Sequence, residues 1–214
     1  MARTTGSSGA RTAAAIRRAA LGLICRQGYA AMNLRDLAAE VGITPGALYN
    51  HIETKQGLLF ELMRAHMAAL IASTDAALEA AGPDAPPLTR LEAFIAHHLL
   101  YHVERRQEVF VANFELRALE PPNRARIVAM RRGYEERLIA LLEEGQAAGA
   151  LAVADPRIAA YAILAMLTGI CTWYRPGGRF SKEALVALHT GLVLDGIRAG
   201  QATHRRAAIA AAAD

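Results

Sequence analysis

Two cysteines and one tryptophan occur among the 214 residues, and aromatic side chains make up only 6% of the chain. Two thiols cannot supply the disulfide framework of a small secreted scaffold. Cys25 and Cys171 both fall in apolar helical context, where reduced cysteines of a cytoplasmic protein are expected. Period-two alternation is missing and β-branched residues are sparse, so no segment reads as a half-buried strand. The longest apolar run, residues 159–174, carries Thr168, Gly169 and Thr172 and is shorter than the ~18 residues of a membrane span, so it reads as a helix buried in protein. Met1 to Gly9 is polar, and the apolar stretch after it contains Arg17, Arg18 and Arg26, which argues against a secretory signal. Also missing are a phosphate-binding loop, a dinucleotide glycine fingerprint, a nucleophile elbow and an HExxH pair. Glu143-Glu144 is adjacent rather than facing, which suits a surface more than acid–base work. The expectation is a non-enzymatic protein with no cofactor and no metal.

Apolar residues make up 53% of the chain, enough for a core in one large domain or two small ones. Alanine accounts for about a fifth of the residues and the pattern is helical nearly throughout, so the fold class is all-α. A first helix is predicted from about Ala10 to Gln27, ended by Gly28 in the left-handed C′ position. Asn33 caps a short second helix with Asp36 as its capping-box partner, and Gly42 breaks it. Thr44 caps a third helix with Pro45 at its first position, and Thr54 opens a fourth that runs to about Ala81. After the Pro- and Gly-rich stretch Gly82 to Pro87, helices are predicted near 88–104, 107–119, 122–148, 155–173 and 181–199.

The net charge of +4 is unevenly placed. Residues 1–64 hold eight basic and four acidic side chains, and the remaining 150 hold sixteen of each. A basic segment on a neutral body suggests a polyanion-binding head. Residues 34–51 have the pattern of a helix-turn-helix, whose recognition helix must bring its N-terminal residues close to base edges. Pro45, Gly46 and Ala47 are small enough for that approach, and Thr44 supplies a hydroxyl at a positive helix end. Asn50 could read an adenine edge with its amide. Tyr49 and His51 can reach phosphates, Lys55 adds a cationic clamp, and Arg35 joins the candidate set. Arg3 and Arg11, on the N-terminal arm, are candidates for a minor groove.

Gly28-Tyr29, the run from Leu34 through Ile52, Lys55 and Leu58-Leu59 resemble the N-terminal domain of TetR-type transcriptional regulators, over about 50 continuous residues. Met32 stands where Thr is common and Ile52 where Phe is frequent, both tolerable packing changes. The resemblance implies a homodimer that represses transcription from palindromic double-stranded DNA until a small ligand binds its C-terminal domain. It also implies that Tyr49, His51 and Lys55 contact phosphates while Thr44, Gly46, Ala47 and Asn50 face base edges.

A weaker resemblance joins the C-terminal half to TetR-type regulators of fatty-acid and sterol degradation that respond to acyl-CoA thioesters. It rests on His98…Tyr101, 114–119, Arg131…Tyr134-Glu135 and 173–178. An acyl chain needs an apolar tunnel, and the nucleotide end needs arginines, which are 22 of the 24 basic residues. The candidate ligand-binding residues are His98, Tyr101, His102, Phe114, Arg117, Arg131, Tyr134 and Trp173. His98 and His102 lie four apart, as metal ligands can, but no third ligand follows with clear spacing, so pocket lining or core hydrogen bonding is expected. Arg117 and Arg131 have Glu115, Glu120 and Glu135 as local partners, and Trp173 equally suits dimer packing.

The two most apolar segments, 155–173 and 181–199, are predicted to form a four-helix bundle across a two-fold axis. Their named positions are Ala159, Ala160, Ile163, Leu164, Leu167 and Ile170 with Leu185, Leu188, Leu192 and Leu194. The domains expected are a DNA-binding head over 1–54, a ligand-binding and dimerisation domain over 55–200, and a flexible tail over 201–214. A non-specific architectural DNA-binding protein is the alternative function, and the cytoplasm, with no membrane partner, is the expected location.

Overall fold

A computed structural model of the chain describes residues 5–198. Arg3 and the tail 201–214 lie outside the described residues. The helices are α1 (Thr5–Ala31), α2 (Leu34–Val41), α3 (Pro45–Leu48), α4 (Lys55–Ala81), α5 (Pro87–Glu104), α6 (Arg106–Phe114), α7 (Pro121–Ala147), α8 (Pro156–Thr168), α9 (Ile170–Trp173) and α10 (Lys182–Ile197). A 3-10 turn, Leu116–Ala118, follows α6. Among the described residues the only β-type pairing is an isolated bridge between Leu151 and Arg198. The fold class is all-α, as the composition indicates.

Two compact units make up the chain: Met1–Ala69 with Arg105–Met130, and Leu70–Glu104 with Arg131–Asp214. In the first, α1 packs against α2 and α6. Its core includes Ile16, Ala20, Ile24, Met32, Leu37 and Leu48, all within 1% of full burial. In the second, α5 packs against α8, α9 and α10. One face of α5 (Leu91, Phe94, Ile95, His98, Leu99, His102) is buried along its length.

Several boundaries differ from the sequence reading, each for a local reason. α1 begins at Thr5, so Arg11 is an exposed residue of a helix rather than part of an arm. Gly28 has φ 80° and ψ 158°, a positive-φ but extended kink rather than a left-handed cap, and one further turn follows it. The expected helix over 107–119 breaks at Glu115, whose φ of −103° and ψ of 7° lead into the 3-10 turn. The segment 155–173 is interrupted at Gly169. There the Thr172 hydroxyl donates to the Gly169 carbonyl at 2.8 Å and the turn tightens. Pro156–Trp173 has the length and mean hydropathy, 1.3, of a spanning segment. Ile163, Leu167 and Ile170 on this stretch are nevertheless buried in protein.

Candidate nucleic-acid interface

The recognition segment is built by its caps. Asn33 accepts from the Asp36 N–H at 2.8 Å, and its amide reaches the Asp36 carboxylate at 2.6 Å, so Asp36 meets the cap side chain rather than its backbone. Gly42, left-handed at φ 75°, closes α2 and turns the chain. The Thr44 hydroxyl oxygen accepts from the Ala47 N–H at 3.2 Å, and Pro45 takes the first helical position. Leu37 and Leu48 are fully buried and Ala38 nearly so, which anchors α2 and α3 from beneath. Thr44, Pro45 and Gly46 are then left exposed, and Ala47 half-buried.

Gly46 carries the most information in this segment. A Cβ added there would meet nothing within 4 Å, and its φ lies outside the positive region. Nothing inside the chain therefore requires a glycine. The surface it leaves is open and free of bulky side chains. Tyr49 is 56% exposed, and Asn50 and His51 are exposed beside it. Arg35 is exposed on α2.

Lys55 is more engaged than a free surface cation. Its Nζ donates to the Ala30 carbonyl at 3.1 Å and lies 4.5 Å from the centroid of the Tyr29 ring. The bond offsets an unpaired carbonyl at the end of α1. An ammonium has three donors, so this contact leaves others for a phosphate.

In the second unit His98, Tyr101, His102 and Tyr134 are all buried. His98 Nδ1 meets the Tyr134 hydroxyl at 2.8 Å, and its Nε2 meets the Thr168 hydroxyl at 3.2 Å. His102 Nδ1 bonds the His98 carbonyl at 2.7 Å, and the two imidazoles stack at 3.8 Å. Thr74 is fully buried and 3.1 Å from His97 Nδ1. Burial lowers the His102 pKa to about 4, against the pull of its backbone bond. Burial also raises the Tyr134 phenol, opposed by its bond with Thr74. Among the described residues no group of three or more His, Cys, Asp or Glu could hold a metal ion.

The remaining candidates are dispersed. Arg131 lies on α7 three residues before Tyr134, and burial lowers its pKa while Glu135 raises it. Phe114, 48% exposed and packed on Phe110, and Arg117 fall in the first compact unit. Trp173, 53% exposed, stacks on His189 of α10. Buried Thr74 and half-buried His97 and Thr168 join this polar group although no motif marks them. The available signal was a hydroxyl or imidazole on an otherwise apolar helix face.

Two helices of the second unit expose large apolar side chains. Ile158 and Tyr161 on α8, and Leu188 and Leu192 on α10, are all exposed, Leu192 at 67%. Ile163, Leu167, Ile170, Leu185 and Leu194, expected at a two-fold interface, are buried within the chain instead. One helix cannot turn the same residues both ways, so the inward face completes the chain's own core and the outward face is a separate stripe.

Residues 84–197 match the C-terminal domain of tetracyclin repressor-like proteins, and residues 16–62 match the TetR family of bacterial regulatory proteins. The chain belongs to the TetR family. It is a ligand-responsive DNA-binding transcriptional regulator and not an enzyme. It is 28% identical over 204 residues to the HTH-type transcriptional repressor KstR2 of Rhodococcus jostii strain RHA1, covering 91% of this chain and 94% of that one. The crystal structure of the regulator PfmR from Thermus thermophilus superposes with a TM-score of 0.76 at 30% identity, covering 84% of this chain and 97% of that one. The structure of AibR in complex with isovaleryl coenzyme A and operator DNA superposes with a TM-score of 0.75 at 28% identity, covering 85% and 97%.

Proposed function

We propose that this TetR-family chain acts as a homodimeric repressor that leaves a palindromic operator when a small hydrophobic effector of acyl-CoA type occupies its C-terminal unit. The observation that carries the DNA half is the open, small-residue start of α3 around Gly46, held by the Thr44 cap and the buried Leu48. In this reading Thr44, Pro45, Gly46, Ala47 and Asn50 face base edges, and Arg35, Tyr49, His51 and Lys55 face phosphates. Two heads on a two-fold operator need a dimer, and the exposed apolar stripe of α8 and α10 is the surface suited to make it. With DNA as target, the protein works in the cytoplasm. The acyl-CoA class is supported by the AibR complex with isovaleryl coenzyme A. The buried group of His98, Tyr101, His102 and Tyr134, with Arg131, is the candidate effector site. An effector that prefers the non-binding conformation shifts the population away from DNA, and DNA weakens the effector equally.

The test is a fluorescence-anisotropy titration on the DNA upstream of the protein's own gene, with a random duplex as control and a panel of acyl-CoAs. Selective binding released by one acyl-CoA is the expected result. Selective binding that no acyl-CoA disturbs removes the effector class. Equal, steeply salt-dependent binding to both duplexes favours a non-specific architectural protein.

A further inference from the structure

The kink at Gly28 has a consequence for the hydrogen bonds of α1. With ψ at 158° there, the Tyr29 N–H is directed out of the helical ladder and needs another acceptor. It finds one far away in sequence: Glu115 Oε1 accepts from Tyr29 N–H at 3.0 Å. The carboxylate makes this a charge-assisted bond. A second strap runs from the start of α4. Gln56 Nε2 donates to the Ala118 carbonyl at 2.7 Å, and Gln56 Oε1 accepts from the Glu120 N–H at 3.2 Å. One amide thus holds two points, Ala118 and Glu120, in the turn that leads into α7. Burial raises the Tyr29 phenol pKa, and a hydrogen bond with the Gln56 side chain opposes that rise. Tyr29 is 8% exposed, and its ring lies under the Lys55 ammonium. Tyr29 therefore joins the end of α1, the start of α4 and segment 115–120, all within the first compact unit.

We infer that Glu115 and Gln56, both outside the helix-turn-helix, are positioning residues for operator binding. They hold the Tyr29–Lys55 corner in place, and with it the start of α4 that presents Lys55. The inference rests on the proposed operator binding, and its sign sets it apart from simple charge effects. A carboxylate near a DNA-binding surface repels phosphate, so removing it strengthens binding if Glu115 acts through charge alone. Removing an acceptor that the corner needs weakens binding.

The deciding comparison is Glu115→Gln with Glu115→Ala, since both are neutral but only glutamine can still accept from the Tyr29 N–H. Operator affinity of Glu115→Ala is expected to be up to about tenfold weaker than that of Glu115→Gln, in line with the loss of one part-buried hydrogen bond. Faster hydrogen exchange of the Tyr29 amide is expected in the alanine variant alone. Equal affinities, or tighter binding by Glu115→Ala, overturn the assignment. Should Glu115→Ala lose its helical circular dichroism, Gln56→Ala tests the other strap. Several-fold weaker binding with normal helicity is then expected, and unchanged binding overturns the proposal. If the wild-type protein shows no sequence-selective binding, the functional reading fails before any variant is compared, and this inference falls with it.

Discussion

Replacing Lys55 with alanine separates two roles the structure gives to one ammonium. Its Nζ bonds the Ala30 carbonyl at 3.1 Å and sits 4.5 Å from the Tyr29 ring centroid. Losing that partly exposed bond and the cation–π contact is expected to cost about 1 kcal/mol of stability. The melting midpoint of a chain this size then falls by about 2–4 °C. The DNA role has a different signature. One phosphate contact per subunit means two in the proposed dimer, and each contributes about 0.9 to the slope of log K against log salt. The slope is therefore expected to become shallower by about 1.8, with weaker binding to every sequence. Anisotropy titrations between about 50 and 200 mM salt, with a thermal melt of the same preparations, measure both. Weaker binding with an unchanged slope would refute the phosphate contact and leave Lys55 as a prop for Tyr29. Unchanged affinity would refute the docking arrangement altogether.

Gly46→Leu is expected to keep the melting midpoint within about 2 °C, because nothing lies within 4 Å of the added Cβ, yet to abolish operator binding; equal DNA affinity would show that α3 does not enter a groove. Asn50→Ala should relax preference at one operator position by about 1–3 kcal/mol, read by competition with single-base variants, and uniform weakening would remove its role as a base reader. Leu192→Asp, at a site 67% exposed, is expected to shift the protein to monomer in analytical ultracentrifugation without unfolding it; a persisting dimer would place the interface elsewhere. His102 is held neutral by burial, with its folded pKa at about 4 against an unfolded value of 6.5. Its contribution to stability is fully present above about pH 6.5 and is lost as pH falls towards about 4, a change of about 3 kcal/mol. Urea midpoints of wild type and His102→Asn across that range should differ in pH dependence, and parallel curves would refute the assignment.

What the sequence could show was what short-range rules encode. The caps at Asn33 and Thr44, the N1 Pro45 and the break at Gly42 all follow from residue type and spacing within a dozen positions. Effects between distant segments were hidden. No periodicity says that His98 meets Tyr134 and Thr168, 36 and 70 residues away. The division of α8 and α10 into two faces was half visible. Both helices are so apolar that their sequences name core-forming residues without saying which side meets the same chain. The breaks at Glu115 and Gly169 lay in helix-compatible sequence, and tertiary hydrogen bonds or a tightened turn decide such places rather than propensity.

A boundary at residue 54 follows the motif, whereas the compact unit that contains the motif runs to Ala69 and takes in Arg105–Met130. Hydrogen-bond requirements explain the added segment. The kink at Gly28 takes the Tyr29 N–H out of the helical ladder, and the end of α1 at Ala31 leaves the Ala30 carbonyl without a helical partner. Lys55 serves the carbonyl from within the head, but the N–H is served by Glu115. Gln56, next in sequence to Lys55, binds both sides of the turn at 118–120. Residues 105–130 also lie inside the region that matches the tetracyclin repressor-like C-terminal domain. Part of that matched region is thus folded into the same compact unit as the helix-turn-helix. Its straps meet the head beside the one lysine proposed to touch phosphate. That coupling makes the 115–120 turn the first place to look when operator affinity changes without any substitution in the recognition helix.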